Sequence, residues 1–472
     1  MKQLTLLLLT ILVYSCQNPS SNKKDEALNR DLISVTDSIS QLMSMFHYNP
    51  EELKTEQYFE LEEKVLALAK SAKTNQEFVN GFNAVWSEGP FSHVRLSMAE
   101  RSAEEMADFI DSIRVGEQSV SLDWIDKNAI LTVSTMTGVD TKERVFQAYR
   151  DIDKNNAQSL IIDLRKNKGG TFAGVPLIGH ILSDSVDAGV FVSRKWWENN
   201  SRAPQLSDGE GLSSWHGWSI KTFWKDVQQE PLTRVKFGPM NPHFEGPVYV
   251  LISTETASAA EFAVDALARE KKVTIIGETS AGEMLSQKMY DLPNGFQLSV
   301  PIAEYYSSRI GRIEGKGVKP DIQIDQRVAL DLALSIINEE KLEDVIPKLE
   351  AKLDEMDVEP FSGEKLYLFG SMNDWGKKWN DTPEFTYKGN GVFETVTTFQ
   401  KGNYEFKIAP MSWDFDFGAN SSKQNVSVGK KTSLVRVPGS SNLMINVEDE
   451  VKLKFTLDVR NEKAETLIVS KI

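Results

Sequence analysis

The sequence predicts an α/β core with a helical segment before it and an antiparallel β-sandwich after it. Three observations support this. Two apolar β-branched runs, 248–252 and 273–276, flank a helical stretch from Ala259 to about Glu270, a β-turn-α-β unit of buried parallel strands. Between residues 29 and 88, apolar side chains recur at spacings of three and four. From Phe361 onward, short alternating segments such as KLYLFG, GNYEFKIA and VKLKFTLDV are separated by turns.

Residues 1–16 read as a leader. Lys2 gives a charged start, 4–13 form an apolar run too short to span a bilayer, and Tyr14-Ser15 lead to Cys16. Cys16 is the chain's one cysteine, so no disulfide can form within it. Residues 17–28 are polar and predict a flexible tether. The helical cap over 29–88 has three apolar stripes. They are Leu32, Val35, Ile39, Leu42 and Met45; then Leu61, Val65, Leu66 and Leu68; then Phe78, Phe82 and Val85.

The core is predicted over 89–358. It opens with Ser92-His93, then strands near 119–124 and 129–133 and a helix over 142–154. Next comes SLIIDLRKNKGGTFAG at 159–174, a buried strand leading to the Gly169-Gly170 turn. Paired glycines allow positive φ and an amide-lined anion site, although a plain strand-to-helix turn fits equally. Residues 190–245 read as an irregular aromatic-rich insertion. It holds Trp196, Trp197, Trp215, Trp218 and Trp224, half of the ten tryptophans. Such a loop can line a substrate groove or pack a long crossover. After the central unit come a strand at 296–302, the segment IEGKGVKPDIQID at 313–325, and one long helical pattern over 328–357.

Composition sets limits. The chain has 472 residues, 40% hydrophobic and 26% charged, an ordinary globular balance. A formal charge of −15 argues against nucleic acid, whose phosphates need clustered Lys and Arg. The five histidines lack zinc-protease spacing, and no metal or cofactor is called for.

Ser258 opens the central helix, where free backbone amides and the positive dipole end converge. A hydroxyl there can attack a carbonyl while neighbouring amides receive the oxyanion. Ser258-Ala-Ala-Glu261 is also a capping box, which needs no catalysis.

Five segments in order, SHVRL, IIDLRKNKGG, VLISTETASAAE, GETSAG and EGKGVKPDI, resemble the tail-specific (C-terminal processing) protease and tricorn-core family of serine peptidases. The resemblance covers roughly residues 90–340 and implies a ClpP/crotonase-like spiral of ββα units. It also implies a Ser–Lys dyad or a serine, histidine, serine and glutamate tetrad. The dyad position is filled here by Glu283, and Lys288 lies too far along. The tetrad pattern maps onto Ser258, His93, Ser92 and Glu314, with an oxyanion hole from Ala259 and Gly169-Gly170. Trp196, Trp197 and Trp215 are the expected substrate-binding aromatics.

The leader resembles a bacterial lipoprotein signal, implying a lipid anchor on Cys16 and a place in the cell envelope, in the periplasm or at the cell surface. Residues 361–472 resemble starch- and pullulan-associated modules, implying α-glucan contact through Trp375, Trp379 and Trp413. The expected function is a lipid-anchored serine peptidase acting on peptides or proteins. The alternatives are a non-catalytic glycan- or peptide-binding lipoprotein on the same scaffold, or a hydrolase of other acyl groups.

Overall fold

The computed structural model describes residues 19–472 apart from 88, 90, 356–358, 378–381, 421, 422 and 462–464. The leader with Cys16, and also Trp379, lie outside the described residues. No helix among the described residues is long and apolar enough to cross a membrane.

The central sheet has six strands in the order Ile322–Gln323, Val273–Gly277, Val248–Ile252, Ser159–Asp163, Asn128–Val133 and Val120–Ile125. The first five run parallel, and the last pairs antiparallel as a hairpin. Both faces of the inner strands are covered, which explains why Ser159–Asp163, Val248–Ile252 and Val273–Gly277 are buried almost throughout, while the edge strand Val120–Ile125 alternates. Leu160, Ile162, Val248 and Val250 join one cluster with Val145, Ala263, Val264 and Leu267 from helices Val139–Lys154 and Ala259–Leu267. Ile161, Tyr249 and Leu251 point the other way, onto Leu332, Ala333, Val345 and Leu349.

Those last four side chains come from two helices, Ala329–Ile337 and Leu342–Glu355. The periodicity over 328–357 predicts one helix, but the chain turns at Glu339, whose φ is 60°. Folding back lets two short helices cover a sheet face that one straight helix would overshoot. A second departure lies at the N-terminus. The first helix spans Pro19–Phe46 and starts inside the stretch predicted as a tether. Proline is tolerated in a first helical turn, and Lys, Glu, Ala and Leu that follow are strong helix formers.

A second sheet lies beyond the core, in the order Arg95–Met98, Phe296–Ser307, Val186–Ser193, Leu232–Phe237, with Leu285–Asp291 and Gly311–Arg312 also paired to Phe296–Ser307. The aromatic insertion is therefore not irregular. It contributes helices Arg194–Asn199 and Ile220–Gln229 and the strand Leu232–Phe237.

The helices Pro19–Phe46, Glu56–Ser71 and Asn75–Ser87 pack on this second sheet. Leu32, Val35, Leu61, Val65, Phe78 and Phe82 share a cluster with Phe296, Leu298 and Val300. After Phe361, two more sheets share one apolar cluster that includes Leu368, Phe393, Phe406, Leu443, Phe455 and Val469.

Phe296 joins the helical segment to the sheet that carries the site, and its ring meets Phe78 edge-on at 5.9 Å. It is 0% exposed. Phe296→Ala is expected to cost about 3–5 kcal/mol of stability, read as a lower denaturation midpoint with unchanged slope.

Candidate active site

Three loops leave the carboxyl ends of adjacent parallel strands and converge. One carries Gly169-Gly170 after Ser159–Asp163, one carries Ser258 after Val248–Ile252, and one carries Gly282-Glu283 after Val273–Gly277. Carboxyl ends of parallel strands are where open α/β sheets bind ligands. Here they border an open cleft of about 2920 Å³, whose walls include Ser92, His93, Ser258, Glu283 and Glu314.

Ser258 caps the helix Ala259–Leu267 with φ 54° and ψ −122°. Positive φ at a serine is strained and persists only where surroundings enforce it. The enforcing group is Glu261. Its carboxylate, on a residue 0% exposed, accepts the Ser258 N–H at 3.0 Å, the Ser280 hydroxyl at 2.6 Å, and the amides of Gly282 and Glu283 at 2.7 and 2.9 Å. Burial pushes the Glu261 carboxyl up, while those four bonds pull it down. The Ser258 hydroxyl makes no capping bond, which leaves it free for chemistry.

Ser92 and His93 follow the helix Asn75–Ser87 and precede the strand Arg95–Met98. His93 has φ 63°. The Ser92 hydroxyl donates to Glu314 Oε1 at 2.6 Å and lies 2.7 Å from His93 Nδ1. A serine has one proton to give, and Glu314 takes it, so Nδ1–H must be the donor to Ser92. Nε2 is then left as the basic nitrogen, the tautomer a general base needs. Glu314 itself is 9% exposed, and its second oxygen accepts the Met284 amide. Burial pulls His93 below the ordinary histidine value, opposed by the charge of Glu283.

No hydrogen bond joins the Ser258 hydroxyl to His93 among the described residues. Both line the cleft, so the four predicted residues meet in one place, with that last link open. Catalytic bonds are often loose without substrate.

The glycine pair presses on Ser258. A Cβ at Gly169, whose φ is 91°, would fall 2.6 Å from Ser258 Cβ and 3.0 Å from the Ala259 amide nitrogen. At Gly170, with φ 139°, it would strike the Thr137 amide at 2.5 Å. The Gly169 amide is already spent on Asn167 Oδ1 at 2.9 Å. That removes Gly169 from the predicted oxyanion donors and leaves Ala259 and Gly170. Asn167, 0% exposed, also donates to the Val133 carbonyl and so fixes the turn. Nothing in the sequence singled it out.

The predicted aromatics divide. Trp215 lines the cleft and meets Phe172 with tilted rings, centroids 4.9 Å apart. Trp196 and Trp197 do not reach it. They pack with Val190, Val192 and Leu232, and the Trp196 indole donates to the Arg202 carbonyl at 2.8 Å. Their helix folds back on its own strand, which turns both rings away. Lys288 is also elsewhere, its ammonium over the Tyr290 ring. Trp375 and Trp413 line the far wall of the same cleft, both with φ 56°. His47 and His180 are buried; His180 stacks on Tyr149 at 4.3 Å.

Residues 127–324 match Peptidase family S41. Carboxyl-terminal-processing peptidase 3 of Arabidopsis thaliana is 26% identical over 221 residues, 47% of this chain and 35% of that protein. The carboxyl-terminal-processing protease of Synechocystis sp. is 24% identical over 257 residues, 54% of this chain and 48% of that protein. The chain spans about a third of the length of the first curated relatives, 35%, 32% and 37%. The solved photosystem II D1 C-terminal processing protease is 15% identical with a TM-score of 0.39, over 64% of this chain and 94% of that one. The chain carries a peptidase family S41 domain, homologous to the carboxyl-terminal-processing proteases.

Proposed function

We propose that the chain is a serine peptidase in which Ser258, His93, Ser92 and Glu314 act together. One observation carries the reading. The Glu314–Ser92–His93 hydrogen-bond chain consumes Nδ1 and leaves Nε2 beside a cleft that also exposes the unspent Ser258 hydroxyl. On a bound peptide, the serine side chain turns toward Nε2, gives up its proton and attacks the carbonyl carbon. The oxyanion is received by the Ala259 and Gly170 amides, a donor pair of which each member is worth about 3 kcal/mol. His93 then returns the proton to the leaving amine, and water releases the acyl group by the same steps in reverse.

The finer expectations enter on the same footing. The core over 89–358 is read as a ClpP/crotonase-like spiral, with the helical cap at 29–88 and a β-sandwich at 361–472. A lipid on Cys16 holds the protein in the cell envelope. Trp375 and Trp413, which line the cleft, are read as ring-stacking contacts for an α-glucan.

Three tests follow. Ser258→Ala is expected to lower peptide cleavage by about 10⁴-fold or more and to abolish labelling by a fluorophosphonate; cleavage that survives the substitution rejects the nucleophile. A His93 pKa held below 6.5 keeps the base neutral at lower pH than usual, so activity is retained on acidification until that lower value is passed. The acid limb of kcat/KM is expected to have its midpoint below pH 6.5, and a midpoint above 7 contradicts this environment for His93. Immobilised amylose is expected to retard the full chain, and Trp413→Ala to abolish the retardation; no retardation of the wild type removes the glucan reading.

A further inference from the structure

On the reading of Ser258 as nucleophile, Glu283 is a charged group of the cleft close enough to His93 for its charge to be felt there. The Glu283 side chain is exposed on the cleft wall, and among the described residues no hydrogen bond or ion pair engages its carboxylate. Of the other acids along the cleft, Glu100 and Asp414 likewise make no side-chain hydrogen bond or ion pair among the described residues, but they lie outside the loops that carry Ser258, His93 and Glu314; the rest are occupied. Glu314 holds Ser92 and the Met284 amide, Glu405 holds Lys423 and Asn442, and Asp416 holds Lys407, Ser440 and the Gly439 amide.

The backbone of Glu283 is as fixed as its side chain is free. Its own amide and that of Gly282 donate to Glu261, the carboxylate that also holds Ser258. The next amide, Met284, donates to Glu314, the carboxylate behind His93. Glu283 is thereby pinned between the supports of the nucleophile and of the base. Lys168, which lines the cleft, faces Glu255 at 3.8 Å, and Lys288 lies against Gln228 and Tyr290, so neither pairs with it.

A peptide lying across Ser258 covers this wall and takes the Glu283 carboxylate out of water. Left alone there, the charge is costly; met by a cation, it is compensated. Selectivity then comes as much from the penalty on neutral and acidic peptides as from attraction to basic ones. We infer that Glu283 is a specificity-determining residue that selects peptides bearing an ammonium or guanidinium group beside the scissile bond. The group is a Lys or Arg side chain or the free α-amine of a short peptide.

The test uses the full chain as wild type, Glu283→Gln and Glu283→Lys. The substrates are fluorogenic peptides identical except for Lys, Gln or Glu at each position flanking the cleaved bond. In the wild type, kcat/KM for the best Lys peptide is expected to exceed its Gln counterpart by about tenfold. Glu283→Gln brings that ratio to within about twofold of one, and Glu283→Lys inverts it in favour of the Glu peptide. N-acetylated and free-amine versions of short peptides separate the two sources: the preference follows acetylation only if the α-amine is read. A wild-type ratio near one at every position, or a ratio that persists in Glu283→Gln, overturns the inference. A neutral fluorophosphonate distinguishes this from failure of the peptidase reading. Labelling of Ser258 without charge selectivity removes the role of Glu283 alone, whereas neither labelling nor cleavage removes both.

Discussion

The buried carboxylate of Glu261 is the interaction on which the site depends. It sits on the first turn of the central helix and gathers four donors from two loops: the Ser258 amide, the Ser280 hydroxyl and the amides of Gly282 and Glu283. A carboxylate in that position is tolerable only when its lone pairs are filled. Each such bond contributes about 1.5–3 kcal/mol, and losing one leaves part of a buried charge unpaired. The loops cannot drift without breaking this set. Glu261 thus holds Ser258 at its strained positive φ and keeps its hydroxyl out of the capping role that the local sequence offers.

His93 is held by a second carboxylate. Glu314 reaches His93 only through Ser92, and each member of the chain has one geometry that satisfies it. Its second oxygen takes the Met284 amide, two residues beyond the Gly282 amide held by Glu261. The two carboxylates therefore share the backbone of 282–284, so displacement of one support is felt by the other. Behind them stand the parallel sheet and the second sheet, both packed on two sides, which supply the rigidity that such a site needs.

The cleft extends past the chemistry. It runs from the helix Asn75–Ser87, through the aromatic group of Trp215, Phe172 and Phe223, to Trp375 and Trp413 beyond Phe361. Elements from all three parts of the chain border one groove. Positive φ recurs along it, at His93, Ser258, Trp375 and Trp413, none of which is glycine.

The sequence by itself determined the secondary elements whose signals are local. The run Val248–Ile252 could be little else than a buried strand, the stripes at Leu32 to Phe82 little else than amphipathic helices, and Gly169-Gly170 little else than a turn. The order of motifs also pointed to Ser92, His93, Ser258 and Glu314 as a group. Tertiary structure decided what depends on contacts between distant residues. It turned Trp196 and Trp197 onto their own strand, divided the helical pattern over 328–357 into a hairpin, and committed the Gly169 amide to Asn167. Whether Ser258 caps its helix or faces a cleft is likewise undecided within its own four residues. Periodicity records which face of an element is apolar, but which hydrogen bonds a loop makes is settled only when other loops arrive beside it.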